Sequence, residues 1–158
     1  MPSFLFVCLA NQIRSPIAAA TFLSAWLALP GAKPCRVASA GTWTRSGMPV
    51  SPAAMAYAAT FGIDLRHFRT TSIEQVKLAE YDYIIVMEKG QQEALSIEHP
   101  QLQPRIHLLA ALAGCFSSDI PDPAQVDRDT AINILQDMRV CVQQIALHLC
   151  QPNPPGQP

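Results

Sequence analysis

The sequence predicts an α/β fold, an open parallel sheet covered by helices on both faces. Three observations carry that prediction. Two short runs, Phe4–Val7 and Tyr81–Met87, are almost continuously apolar, as strands buried on both faces must be. Segments with helical spacing and helix start signals alternate with such runs along the chain. Near the C-terminus, apolar residues recur every three or four places over a long stretch, which marks one face of a helix.

The elements follow in order. Phe4–Val7 opens the sheet. Ser15-Pro16 reads as a helix start, because a serine oxygen can cap and proline suits a first-turn position whose N–H has no intrahelical partner. That helix is expected from about Pro16 to Ala28, ending before Pro30-Gly31. A second strand is expected at Arg36–Ala40, followed by the turn-rich loop GTWTRSGMPVSP. Ala53–Phe61 reads as a helix stopped by Gly62, and a further helix is expected over Ile73–Ala79. Tyr81–Met87 is the next strand, Gln91–Ile97 a helix before Pro100, and Arg105–Leu108 a short strand. The prolines and acidic residues of SSDIPDPA require a loop. Ala131, Ile134, Leu135, Met138, Val142, Ile145 and Leu149 then define the C-terminal helix.

Composition sets bounds. The 158 residues suit one domain over 1–150, followed by a Pro-rich tail, QPNPPGQP at 151–158, that is expected to be disordered. With 49% hydrophobic residues and a formal charge of −1, the chain does not have the composition of a disordered protein. A pI near 6.4 argues against nucleic acid or an anionic membrane as partner. No apolar run approaches the ~20 residues of a membrane span, and Arg14 interrupts an N-terminus that lacks a signal peptide's basic start. The five cysteines form no CxxC pair, so neither a disulfide framework nor a zinc site is indicated. A reducing, cytoplasmic setting is the expectation.

Chemistry concentrates in CLANQIRSP, Cys8 to Pro16. The cysteine ends an apolar strand, and the loop after it opens a helix. In open α/β sheets ligands bind beyond the carboxyl ends of the strands, and Cys8 stands at such an end. Successive N–H groups of a wrapped loop make an anion cradle, to which a helix N-terminus adds partial positive charge. Arg14 supplies a planar fork matched to two phosphate oxygens. The same field favours the thiolate form of a cysteine, and Ser15 can donate to the sulfur. A thiolate at the floor of a phosphate cradle can attack phosphorus and form a covalent intermediate. The competing reading is a buried strand-end cysteine and a surface arginine.

Such chemistry needs a general acid, because an alkoxide or phenolate leaves poorly. SSDIPDPA offers Asp119 and Asp122. Pro123 biases Asp122 to an extended conformation and so fixes how its carboxylate projects. Asp-Pro is also an ordinary turn signal, but taken together with the Cys8 loop the catalytic reading is preferred.

In FVCLANQIRSPIAAA, VASAGTW, FGIDLRHFRT, YDYIIVME and DIPDPA, in that order and spacing, the chain resembles the low-molecular-weight protein-tyrosine phosphatases over Phe4 to about Cys150. The resemblance implies a four-stranded parallel sheet flanked by helices on both faces, the three-layer phosphatase I-like sandwich. It also implies catalysis through a cysteinyl-phosphate, with no metal and no cofactor. By position, Cys8 resembles the nucleophile, Arg14 the phosphate clamp, Ser15 the leaving-group stabiliser and Asp122 the general acid. Asn11 resembles the asparagine that holds the phosphate loop in shape, partly through the serine. The backbone N–H groups of Leu9, Ala10, Asn11, Gln12, Ile13 and Arg14 would bind the phosphoryl oxygens.

Several positions depart from the family pattern. Ile13 replaces a frequent second cysteine, so Cys8 is expected to lack a resolving thiol beside it and to over-oxidise easily. Gln12 replaces a branched apolar residue of tyrosine-specific members, or the threonine of arginine-phosphate-specific ones. Ala124 replaces an aromatic that helps hold the phosphotyrosine ring, and Ala10 replaces a frequent glycine. Trp43 reads equally as an aromatic wall of the substrate pocket or as a packing residue. Cys35, Cys115, Cys141 and Cys150 read as small packing residues, and His67 as a locally hydrogen-bonded histidine. The expected activity is a protein-tyrosine phosphatase acting on a phosphorylated protein or a small aryl phosphate. A protein-arginine phosphatase is the alternative. A phospho-ligand binding module without turnover and an arsenate reductase are less favoured, and the oligomeric state is open.

Overall fold

A computed structural model describes residues 1–115 and 118–150, so the expectation for the C-terminal tail lies outside the described residues. Four strands, β1 (Ser3–Cys8), β2 (Arg36–Gly41), β3 (Tyr83–Val86) and β4 (Ile106–Leu108), form one sheet in the order β2-β1-β3-β4. All pairs are parallel, with Cys8 opposite Gly41 and Val7 opposite Val86. The helices are α1 (Arg14–Leu27), α2 (Pro52–Thr60), α3 (Lys89–Glu98), α4 (Leu109–Leu112) and α5 (Arg128–Cys150).

Alternation along β1 divides the core in two, because successive side chains of a strand point to opposite faces. Phe4, Phe6 and Cys8 join Ile17 and Phe22 of α1 and Leu135, Met138 and Ile145 of α5. Leu5 and Val7 join Ile84, Val86, Leu95 and Leu102 on the other face. Each of the large apolar side chains buried here contributes on the order of 1.5–3 kcal/mol. Cys8 therefore shares a face with the phenylalanines under α1, at the point where the strand order reverses between β2 and β3. Ligands of doubly wound sheets bind outside the strand ends at that point.

The α/β architecture and the four parallel strands are as expected, and the differences have local causes. Residues 73–80 form two short 3₁₀ turns, Ile73–Gln75 and Leu78–Glu80, instead of one helix. Val76 between them is extended, and Ile73, Val76 and Leu78 all pack on the second core cluster. Their spacing suits both kinds of turn, and the extended Val76 divides the run in two. The short α4 was not expected. Ser15 does not cap α1, which begins at Arg14 with no side-chain cap, because the Ser15 hydroxyl is turned toward Cys8. Ser51 does cap α2, accepting from Ala54 N, with proline in the first turn.

Candidate active site

The loop from Cys8 to Arg14 is shaped by its carbonyls. Cys8 O accepts from Thr42 N and Leu9 O from Trp43 N, at 2.9 and 2.8 Å. A trans peptide sends its N–H opposite to its C=O, so these two bonds to the SAGTW loop turn the Leu9 and Ala10 N–H groups inward. Among the described residues, no backbone carbonyl accepts from the N–H groups of Leu9 to Ile13. They can serve as the donor ring of an anion cradle, which the uncapped first turn of α1 would continue.

Asn11 holds that shape. It is fully buried and has φ +54°, the only positive φ at a non-glycine residue among those described. Asparagine tolerates this left-handed conformation better than most residues. Its Nδ2 donates to Ser15 Oγ at 2.8 Å and to Ser39 Oγ at 2.9 Å, and its Oδ1 accepts from Thr71 N at 2.8 Å. One side chain thus ties the loop to β2 and to the segment before the first 3₁₀ turn. Ala10 does not have a positive φ, so alanine is compatible with this loop.

Cys8 lies at the base of the cradle with its Sγ 3.0 Å from Ser15 Oγ. Asn11 already occupies the serine oxygen as a donor, which leaves the hydroxyl hydrogen for the sulfur or for the more distant Ala40 O at 3.4 Å. Arg14 is 3% exposed. Its Nη1 donates to Glu88 Oε1 and to Ile120 O, both at 2.8 Å. Among the described residues both anchors use that one nitrogen, so Nε and Nη2 remain for two oxygens of a bound oxyanion.

A cavity of about 400 Å³ opens above the loop. Of the residues expected at the site, Cys8, Leu9, Ala10, Gln12, Ile13, Arg14, Asp122 and Ala124 line it. Asn11 and Ser15 support it from behind. Trp43 does not line it: the side chain is 83% exposed, and its backbone N–H is the group that braces the loop. Among the described residues the aromatic that lines it is Tyr57, joined by Ser51, Ala53, Pro123 and Val126. Ala53 and Tyr57 stand four residues apart on α2 and so share one face. The lone aromatic in the alanine-rich PAAMAYAAT was a signal for it in the sequence. Glu88 carried no comparable signal.

The two acidic candidates separate. Asp119 is turned away to accept from Lys89 N at 2.8 Å. Asp122 caps a 3₁₀ turn, Pro123–Gln125, with Oδ1 accepting from Ala124 N at 3.0 Å, and lies on the cavity wall. Gln12 is held as well, since its Oε1 accepts from Ser51 N at 3.1 Å. Among the described residues, no cysteine besides Cys8 lines the cavity.

A cysteine beneath a ring of peptide N–H groups, a buried arginine fork and a carboxyl on the facing wall are together suited to thiol-based chemistry on a phosphoryl group. The family model for low molecular weight phosphotyrosine protein phosphatase matches residues 3–152, and the chain belongs to that family. It is 31% identical over 121 residues to the probable low molecular weight protein-tyrosine-phosphatase EpsP of Ralstonia nicotianae, covering 77% of each chain. Identity to the low molecular weight protein-tyrosine-phosphatase Wzb of Salmonella typhi is 32% over 127 residues, covering 79% of this chain and 78% of that one. Among solved structures, the YwlE arginine phosphatase from Geobacillus stearothermophilus superimposes with a TM-score of 0.81 at 23% identity. The superposition covers 94% of this chain and 93% of that one, a likeness of fold.

Proposed function

We propose that the chain is a protein-tyrosine phosphatase working through a cysteinyl-phosphate. The observation that carries the reading is the floor of the cavity, where Cys8 Sγ lies 3.0 Å from Ser15 Oγ inside the N–H ring, with Arg14 buried beside it. The Cys8 thiolate attacks phosphorus while Arg14 and the loop N–H groups take the phosphoryl oxygens, whose charge they neutralise in the transition state. The P–O bond to the leaving group breaks, and Asp122 passes its proton to that oxygen. The resulting carboxylate accepts a proton from water. That water attacks phosphorus, the P–S bond breaks, and the Ser15 hydroxyl stabilises the departing sulfur.

Tyr57 on the wall favours an aromatic leaving group. Gln12 also bears on substrate class. Its acceptor oxygen is engaged by Ser51 N–H, so its other polar group is the amide donor Nε2. A donor suits a phenolic oxygen or ring face better than the N–H-rich guanidinium of phosphoarginine. We further propose one working domain over residues 1–150, a cytoplasmic location, and a phosphorylated protein or small aryl phosphate as substrate. Among the described residues no helix is long and apolar enough to cross a membrane.

The test is phosphate release from phosphotyrosine, phosphoserine and phosphoarginine peptides in parallel. Phosphotyrosine should be turned over fastest, Cys8→Ser should abolish release, and Arg14→Ala should leave only a small residual rate. Asp122→Ala should slow substrates with poor leaving groups most. Faster phosphoarginine turnover would replace the substrate assignment, and phosphate binding without hydrolysis would replace the enzyme by a binding module.

A further inference from the structure

Away from the cavity, two side chains that this chemistry does not use are brought together. Cys115 follows Gly114 at the end of α4 and is exposed. Cys141 sits on the inner face of α5 within the larger core cluster. Their Sγ atoms are 3.0 Å apart although the residues are 26 apart in sequence. Both are free thiols. Cys115 is therefore not the small packing residue expected from sequence, because its side chain is open to solvent while touching a buried sulfur.

We propose that Cys115 and Cys141 form a reversible disulfide under peroxide, stapling the start of the Asp122-bearing segment to α5. An S–S bond of about 2.05 Å needs the sulfurs to close by about 1 Å. Cys115 lies on an exposed turn beside Gly114, whose φ of +74° marks the end of a helix and not its packed interior. The two thiols are also chemically unequal. Burial, and hydrogen bonding with Cys115, push the Cys141 thiol up, and Cys115 is the exposed member of the pair, so it meets the oxidant first.

The steps balance. The Cys115 thiolate attacks one oxygen of hydrogen peroxide, the O–O bond breaks, and the departing hydroxide takes a proton to become water. Cys115 is then a sulfenic acid. The Cys141 sulfur attacks the Cys115 sulfur, the S–O bond breaks, and the thiol proton leaves with the hydroxyl as a second water. Two thiols lose two electrons and peroxide gains them. A small dithiol reverses the bond by exchange.

Turnover needs no rearrangement for this. The segment is already pinned beyond Cys115, at Asp119 by Lys89 N and at Ile120 by Met87 O and Arg14. The bond adds a constraint at its other end, so it raises stability. Disulfides in cytosolic proteins are usually transient redox devices of this kind.

The experiment treats the full chain with hydrogen peroxide and reads free thiols, non-reducing peptide maps and the thermal midpoint. A peptide pair linked through Cys115 and Cys141 should appear, with a midpoint rise of about 5–15 °C. Dithiothreitol should reverse both changes. Cys115→Ser should fold normally and show neither, and Cys141→Ser should let Cys115 accumulate as a trappable sulfenic acid. Recovery of Cys115 as sulfinic acid with no link, a link from either residue to Cys8, Cys35 or Cys150, or an equal midpoint rise in Cys115→Ser would each overturn the proposal.

Discussion

Asn11→Ala separates a structural account of the phosphate loop from a merely sequential one. The substitution removes three hydrogen bonds, to Ser15, Ser39 and Thr71. At about 0.5–1.5 kcal/mol each they amount to about 1.5–4.5 kcal/mol. Alanine also inherits a φ of +54°, which costs an L-residue about 1–2 kcal/mol. Asn11→Gly loses the same bonds without that steric penalty, so it should recover about 1 kcal/mol of the loss. Urea unfolding should place both variants below wild type, with alanine the lower. At about 2–4 °C per kcal/mol, the total of about 2.5–6.5 kcal/mol should lower the alanine variant's thermal midpoint by about 5–26 °C. Turnover of an aryl phosphate should fall in both variants at temperatures where they remain folded, because the serine hydroxyl loses the donor that orients it toward the sulfur. An Asn11→Ala protein within about 0.5 kcal/mol of wild type, or one with unchanged turnover, would refute the reasoning.

Three further outcomes are expected. At Gly41 an added Cβ would meet Leu9 O and Thr44 Cγ2 at 2.8 Å and Asn11 N at 3.0 Å. Gly41→Ala should therefore displace the loop and lower kcat/KM by about 100-fold in steady-state assays while the far-ultraviolet circular dichroism stays native. Tyr57→Ala should raise KM for aryl phosphates about twofold to tenfold with kcat little changed, which alkyl phosphates as controls should not show. His107 has its pKa lowered by burial, so on acidification the unfolded chain takes up a proton before the folded one does. Its contribution makes stability fall as pH drops below about 6.5, until the folded pKa is reached. His107→Gln should flatten that part of the pH profile of urea midpoints.

The site was legible in the sequence where its parts are local. Cys8, Asn11, Arg14 and Ser15 belong to one strand–loop–helix turn, and their spacing alone places them together. Asp122 was legible through its proline neighbour. Glu88, Ser39, Thr71 and Tyr57 were not, because each reaches the loop from another element, and only the strand register and helix packing bring it there. Trp43 shows the reverse case. Its position near the loop was legible, but its role is carried by the backbone N–H, which any residue except proline would supply. The long α5 was legible from its apolar period over about five turns. The 73–80 region was not, since three-residue apolar spacing fits a 3₁₀ turn as well as an α-helix.

The shared use of Arg14 Nη1 has a consequence for how mutants of this site combine. The same nitrogen that answers Glu88 also holds the carbonyl of Ile120, two residues before Asp122. The guanidinium is thus a fastener for the wall opposite as well as the oxyanion ligand of the proposed reaction. Removing it perturbs the acid too, so the losses from Arg14→Ala and Asp122→Ala will overlap. A double variant should be less impaired than the product of the two single effects, and the shortfall measures how far one arginine sets the alignment of both halves of the reaction.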